Sequence, residues 1–106
     1  MQDWKDAEKE VKKQFEKEGY TVLNQNDNGF PDLIVVKDGK IIFFIEVKAM
    51  QKPDINLYEM QYHQYLNELG FEVKCINFLG RGIEYFKSDP DWAKAVEENN
   101  PRLSKR

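Results

Sequence analysis

Three charged side chains lie at the ends of otherwise apolar segments of this sequence. Asp32 precedes the apolar run 33–36, while Glu46 and Lys48 close the apolar run 41–45. Residues two apart on a strand point to the same face, so Glu46 and Lys48 share one face. Burying both charges without polar partners would cost several kcal/mol. The pattern therefore indicates either a buried ion pair or a site that uses these charges.

Two carboxylates beside a lysine form a hard-oxygen site of the kind that suits Mg²⁺ or Mn²⁺. Asp32 and Glu46 would hold the cation, and Lys48 would orient or activate the attacking water. On spacing alone, a structural ion pair between one of the acids and Lys48 accounts for these residues equally well.

The turn between the two apolar runs decides whether Asp32 reaches the same face. A two-residue loop would place Asp32 opposite Ile45, and hence on the face away from Glu46. A three-residue loop over residues 37–39, with its glycine in a left-handed bulge, would place Asp32 opposite Phe44 and unite the three charges. We expect the three-residue loop.

Apolar spacing and turn residues predict the elements that position these side chains. The predicted order is a helix over 3–18, strands over 20–23, 33–36 and 41–45, a helix over 57–69, strands over 71–78 and 83–87, and a last helix containing Trp92. The expected buried stripes are Trp4, Ala7, Val11 and Phe15 on the first helix and Tyr58, Tyr62, Tyr65, Leu66 and Leu69 on the second. Asn56 and Glu59 have the capping-box pattern. The pattern is typical of an α/β fold, with a central mixed sheet of four to five strands flanked by helices on both faces.

Length and composition bound the class of protein. The 106 residues, 41% of them hydrophobic, predict a single domain over residues 1–106. Sixteen Lys and Arg against nineteen Asp and Glu give a net charge of −3, so any nucleic-acid site must be local. The single cysteine, Cys75, fits a reducing compartment, and no segment approaches the roughly twenty apolar residues of a membrane span. We expect a cytoplasmic protein that does not contact membranes.

The charged residues lie within a pattern that resembles a known family. Residues 29–35 read GFPDLIV, and thirteen residues separate Asp32 from Glu46-Val47-Lys48. This arrangement resembles the signature of the PD-(D/E)XK nuclease superfamily, and the resemblance runs from the first helix to about Phe78. Within the superfamily, the glutamine-bearing second helix and the following strand look most like VRR-NUC domains, with archaeal-type Holliday junction resolvases next. The resemblance implies a restriction-endonuclease-like core.

The resemblance also implies roles for individual residues. Asp32 and Glu46 would bind one or two Mg²⁺ or Mn²⁺ ions, with the carbonyl of Val47 as a further ligand. Lys48 would be catalytic.

Nucleases of this type often add a glutamate from the first helix, and VRR-NUC-like sequences also carry a glutamine on the second. Helical phase places Glu8 within the buried stripe and Glu10 on the solvent side, so we choose Glu8. Gln61 is the candidate glutamine, with Gln64 as the alternative. His63 falls away from the predicted apolar face, and we expect it in solvent.

With these residues, the resemblance implies a metal-dependent endonuclease that hydrolyses DNA phosphodiester bonds. A short chain offers little surface for reading bases, which favours branched or four-way junction DNA over a sequence-specific site. Cutting both strands would require two copies, so we expect a homodimer. Lys12, Lys52 and Arg81 are the candidate phosphate contacts. The alternatives are a non-catalytic nuclease-fold module that binds DNA or protein, and a repair or restriction-type nuclease with another DNA substrate.

Overall fold

Two helices and five strands make up the described part of the chain, residues 4–87 of a computed structural model. In chain order they are α1 (Trp4–Lys17), β1 (Thr21–Asn24), β2 (Leu33–Lys37), β3 (Lys40–Lys48), α2 (Leu57–Glu68), β4 (Glu72–Phe78) and β5 (Ile83–Phe86). Neither helix is long and apolar enough to cross a membrane. The predicted last helix, with Trp92, lies outside the described residues.

The strands form one mixed sheet in the order β1-β2-β3-β4-β5. β3 and β4 run parallel, and the other neighbouring pairs are antiparallel. The crossover between the parallel strands contains α2, as a parallel connection requires. The two helices pack on opposite faces of the sheet, which confirms the predicted α/β architecture.

The face under α1 carries the main hydrophobic core. Ala7, Val11 and Phe15 are the buried residues of α1, and their spacing is that of one helical stripe. They pack against alternate residues of the central strands, including Leu33 and Ile45, both fully buried. Trp4 was expected in this stripe, but 55% of its surface is exposed because it begins the helix beyond the core.

The hairpin between β2 and β3 differs from the predicted one. Its loop has two residues, Asp38 and Gly39, both with positive φ (53° and 74°), as the favoured two-residue hairpin turn requires. A β-bulge then shifts the register, because Val36 pairs with Ile41 whereas Val35 pairs with Phe43. The extra residue, Ile42, shifts the pairing by one residue. Asp32 and Glu46 therefore lie on the same face of the sheet, which the two-residue loop alone would have prevented. The predicted three-residue loop is therefore wrong, although the shared face that it was meant to explain is present.

The buried face of α2 also differs from the prediction. The buried residues of α2 are Leu57, His63 and Leu66. Among the residues expected to be buried, Tyr58, Tyr65 and Leu69 are more than half exposed. The helix is rotated so that polar side chains face the sheet, because charged groups on β3 need partners there.

A buried amide fixes the point where the chain leaves β3. Asn77, 3% exposed on β4, donates from Nδ2 to the Met50 carbonyl at 3.0 Å and accepts from the Met50 N–H at 3.1 Å. The side chain thus satisfies both backbone groups of a residue that has left the sheet. It holds the segment after Lys48 against the end of β4.

We expect Asn77→Leu to lower the free energy of unfolding by about 1–3 kcal/mol, because both polar groups of Met50 lose their partner. Urea unfolding followed by circular dichroism measures the change. The control is Asn67→Leu on the exposed side of α2, with an expected effect below about 0.5 kcal/mol. Equal effects of the two substitutions would contradict the role of Asn77.

Candidate active site

A cavity of about 200 Å³ lies where β2 begins and β3 approaches its end. Besides these ends of the two strands, its lining includes the first turns of α1, residues 25–30, and the start of α2. Polar residues predominate among those that line it, including Glu8, Gln25, Asp32, Glu46 and Glu59. Four of these five side chains are carboxyl groups, which makes the cavity a concentrated source of oxygen ligands.

Asp32 and Glu46 occupy the inner part of the cavity. Because Leu33 pairs with Ile45, Asp32 lies opposite Glu46 in the continued register, on the face toward α2. One Asp32 oxygen, Oδ2, accepts a hydrogen bond from the Val47 N–H at 2.8 Å. Glu46 is 2% exposed. The structure therefore brings together the two acids predicted as metal ligands.

Burial and mutual repulsion change the ionisation of this pair. Burial, followed by the nearby Asp32 and Glu59 carboxylates, raises the pKa of Glu46 from 4.5 to about 10. Burial also raises the pKa of Asp32, while the hydrogen bond from Val47 opposes that shift. The two carboxyl groups interact through a hydrogen bond. Without a cation, Glu46 keeps its proton at neutral pH and Asp32 accepts the shared hydrogen bond.

Lys48 is held by a residue that the sequence analysis did not assign to the site. Its Nζ donates to both carboxylate oxygens of Glu59, at 2.9 and 2.7 Å, and lies 3.9 Å from Glu46 Oε2. Glu59 also accepts from the Asn56 N–H at 2.9 Å in the capping box that begins α2. The capping pattern had been recognised in the sequence. The contact with Lys48 had not, because no local signal relates Glu59 to β3.

His63 was expected in solvent, and that expectation is wrong. It is 6% exposed, and its Nε2 lies 3.0 Å from Glu46 Oε1. Burial lowers the pKa of His63 to about 4, so the ring is neutral at physiological pH. The sequence does contain matching spacings, because Glu59 and His63 are one helical turn apart and Glu46 and Lys48 share one strand face. These spacings alone do not show that the two elements meet.

Glu8 approaches the acids from α1. It lines the same cavity, and burial together with the charge of Asp32 raises its pKa to about 7. Glu10 instead lies 3.9 Å from Lys13 on the outer side of the helix. Helical phase thus distinguished the two glutamates correctly, while a catalytic or ligand role for Glu8 stays a prediction.

The three glutamines near the site have different surroundings. Gln61 lines a separate groove of about 240 Å³ with Tyr58, Tyr62 and Tyr65. Gln64 lines another groove, beside His63. Gln25 was not among the predicted site residues, yet it lines the carboxylate cavity, and its buried Nε2 has no hydrogen-bond partner among residues 4–87. The role of Gln61 stays a prediction.

The candidate phosphate contacts lie at the surface. Lys12 donates to Asn24 Oδ1 at 3.0 Å, beside the loop that borders the cavity. Lys52 is exposed in the segment after β3. Arg81 is 73% exposed and lies 3.9 Å from Glu84. All three side chains are accessible, and their contact with DNA stays a prediction.

The donor set fits Mg²⁺ or Mn²⁺. Across residues 4–87, no three His, Cys, Asp or Glu side chains converge as a complete metal cage. Mg²⁺ does not need one, because it commonly binds one or two carboxylates and completes its shell with water and phosphate. Asp32 and Glu46 would supply two hard-oxygen ligands, and the Val47 carbonyl would be the third. Burial raises the pKa of both acids, and the nearby charge of Lys48 opposes these shifts without cancelling them.

Comparison with known proteins defines the fold class. No protein-family model matches this sequence, and no curated protein matches it either. The described α/β architecture is a restriction-endonuclease-like fold. Among solved structures it is similar to Hjc from Archaeoglobus fulgidus, described as a Holliday junction resolvase from an archaeal hyperthermophile. The TM-score is 0.62 at 17% identity, over 78% of this chain and 70% of the other. At that identity, the similarity establishes a shared fold.

The protonated Glu46 predicts a dependence of stability on pH in the absence of divalent cations. Between its unfolded pKa near 4.5 and its folded pKa of about 10, the folded state binds one proton more than the unfolded chain. The free energy of unfolding therefore falls as pH rises, by at most about 1.4 kcal/mol per pH unit. Urea unfolding in EDTA at pH 7 and pH 8 measures the slope.

Glu46→Gln is the matched control, because it keeps the shape and cannot ionise. We expect a smaller slope in this variant than in the wild type. Identical slopes would show that Glu46 is already ionised in the folded protein.

Proposed function

We propose that this chain is a DNA endonuclease that uses Mg²⁺ or Mn²⁺ to hydrolyse phosphodiester bonds. The observation that carries the proposal is the convergence of Asp32, Glu46 and Lys48 on one face of the sheet, beside a cavity rich in carboxylates. A structural role alone would not require two acids with raised pKa values side by side. Such a pair is costly unless a cation or a proton compensates it.

Each residue has a defined task in this proposal. Asp32 is oriented through Oδ2 by the Val47 N–H, which leaves Oδ1 available to bind the cation. Glu46, in its ionised form, would bind the cation beside it. When bound, the cation lowers the pKa of water and stabilises the negative charge that develops on the phosphate. Lys48, held from the other side by Glu59, positions the attacking water.

The substrate we propose is branched DNA, with four-way junctions first. A chain of 106 residues has little surface for reading base sequence, whereas the shape of a branch can be recognised through phosphates. The shared fold with a Holliday junction resolvase supports this choice. Symmetric cleavage of two strands would require a homodimer. Lys12, Lys52 and Arg81 would contact phosphates, and membership of the VRR-NUC group stays a prediction.

A non-catalytic DNA-binding or protein-interaction module is the second candidate function. The observation that favours it is the ion pair of Lys48 with Glu59 at 2.7 Å, because a lysine with a satisfied partner can be purely structural. An endonuclease cleaves DNA, whereas a binding module leaves it intact. The two candidates also predict different changes in protein stability when Asp32 or Lys48 is replaced.

Cleavage is expected with Mg²⁺ or Mn²⁺ and not with Ca²⁺, whose looser and larger coordination does not provide the same geometry for activating water. The assay incubates the protein with end-labelled linear, nicked, flapped and four-way DNA. Cutting should be greatest on the branched forms and stop in EDTA. Robust cutting in excess chelator would refute the metal mechanism, and intact DNA throughout the panel would refute the endonuclease.

Two substitutions separate the enzyme from the binding module. Asp32→Asn removes a ligand charge at constant size, so cleavage should fall by roughly 100-fold or more while stability in EDTA is kept or increased. Lys48→Ala should also abolish cleavage, and it leaves Asp32 and Glu46 able to hold the cation. Junction cleavage and thermal unfolding are measured on the same preparations.

The control for charge removal is Glu10→Gln on the outer side of α1, where neither measurement should change. A purely structural role would reverse the pattern. Asp32→Asn would then lower stability, Lys48→Ala would cost about 3–5 kcal/mol by leaving Glu59 unpaired, and there would be no nuclease activity to lose.

A further inference from the structure

The contact between His63 and Glu46 is the most buried polar contact between α2 and the sheet. Nε2 of the ring lies 3.0 Å from Oε1 of the carboxyl group, and the two side chains are 8% and 3% exposed. Neither residue can turn toward water without losing this partner. The contact therefore restricts the orientation of the Glu46 carboxyl group.

The geometry of the two elements explains why His63 is at this position. Glu46 and Lys48 lie on one face of β3, and Glu59 and His63 are one turn apart on α2. The helix meets the strand with Glu59 on Lys48 and with His63 on Glu46. The four side chains thus form two polar contacts between α2 and β3, and these contacts fix the rotation of α2 about its axis.

We propose that His63 is a positioning residue for Glu46, holding Oε1 so that Oε2 faces the candidate cation site. Oε2 is the oxygen that lies toward Lys48, at 3.9 Å. A carboxylate only accepts hydrogen bonds, so Nε2 must carry the ring proton whenever Glu46 is ionised. The inference rests on the proposed function, because Glu46 needs a fixed orientation only as a ligand.

A packing role for His63 is the competing explanation. The ring also lines a groove of about 540 Å³ with Met60 and Cys75, where an apolar side chain of similar size would serve as well. The two explanations make different predictions for binding of a cation in the absence of DNA. Ligands whose hydrogen-bond partners are removed typically lose roughly 10–100-fold in metal affinity.

The test is the affinity of the DNA-free protein for Mn²⁺, measured by isothermal titration calorimetry. His63→Leu, which fills the space without a donor, should weaken Mn²⁺ binding by roughly 10–100-fold. His63→Gln, which returns an N–H near the position of Nε2, should restore most of the affinity. Asn67→Leu, at an exposed position one helical turn beyond His63, is the control and should leave the affinity unchanged. Wild-type affinity in His63→Leu would overturn the positioning role alone.

A measurement on the wild type covers the case in which His63→Leu does not fold. Long-range ¹H–¹⁵N NMR spectra of the Mg²⁺-saturated protein report which ring nitrogen is protonated. We expect the proton on Nε2, and an unprotonated Nε2 would overturn the proposal. Absence of any Mn²⁺ binding by the wild type would instead overturn the proposed function, and the positioning role with it.

Discussion

The burial of Glu46 in the central strand is the constraint on which the rest of this structure depends. A carboxyl group that is 2% exposed between apolar neighbours must be protonated, paired or bound to a cation. The neighbouring elements supply the groups that pair with Glu46 or would bind a cation with it. β2 brings Asp32 alongside, α2 supplies His63, and the same strand carries Lys48 two residues further on. The side chains of the candidate site are thus also the groups that provide polar partners for the buried Glu46.

The positions of the predicted acids followed from patterns that are local in sequence. Apolar runs marked β2 and β3, and charges at their ends were conspicuous because such charges need partners. Helical phase selected Glu8, because the stripe of Ala7 and Val11 fixes which side of α1 faces inward. The hairpin register was not predictable in the same way. Residues 41–43 are all apolar, so nothing in the sequence marks Ile42 as the extra residue of the bulge.

The face that α2 presents to the sheet shows how tertiary contacts override periodicity. Three tyrosines at helical spacing favoured burial, yet Tyr58 and Tyr65 are more than half exposed. The reason is the difference between two energetic costs. Exposing a tyrosine loses only part of the free energy of apolar burial, whereas leaving Glu46 or Lys48 buried without a partner would cost several kcal/mol. Glu59 and His63 could be assigned to the site only once their partners on another element were known. Gln25 was missed for the same reason, because its loop reaches the cavity only in the folded chain.

The bulge at Ile42 has a consequence for how this hairpin tolerates insertions and deletions. A two-residue loop with Ile42 bulged out of the β3 pairing, and a three-residue loop followed by a regular β3, both leave Asp32 and Glu46 on the same face. Both arrangements keep the two acids on one face. A chain can change from one to the other by gaining a residue in the loop while losing the bulge at Ile42. Ile41 and Ile42 are both more than 40% exposed, so the adjustment occurs where little packing is disturbed. Changes in chain length at the tip of the hairpin therefore leave Asp32, which precedes the tip, and Glu46, which follows it, on the same face of the sheet.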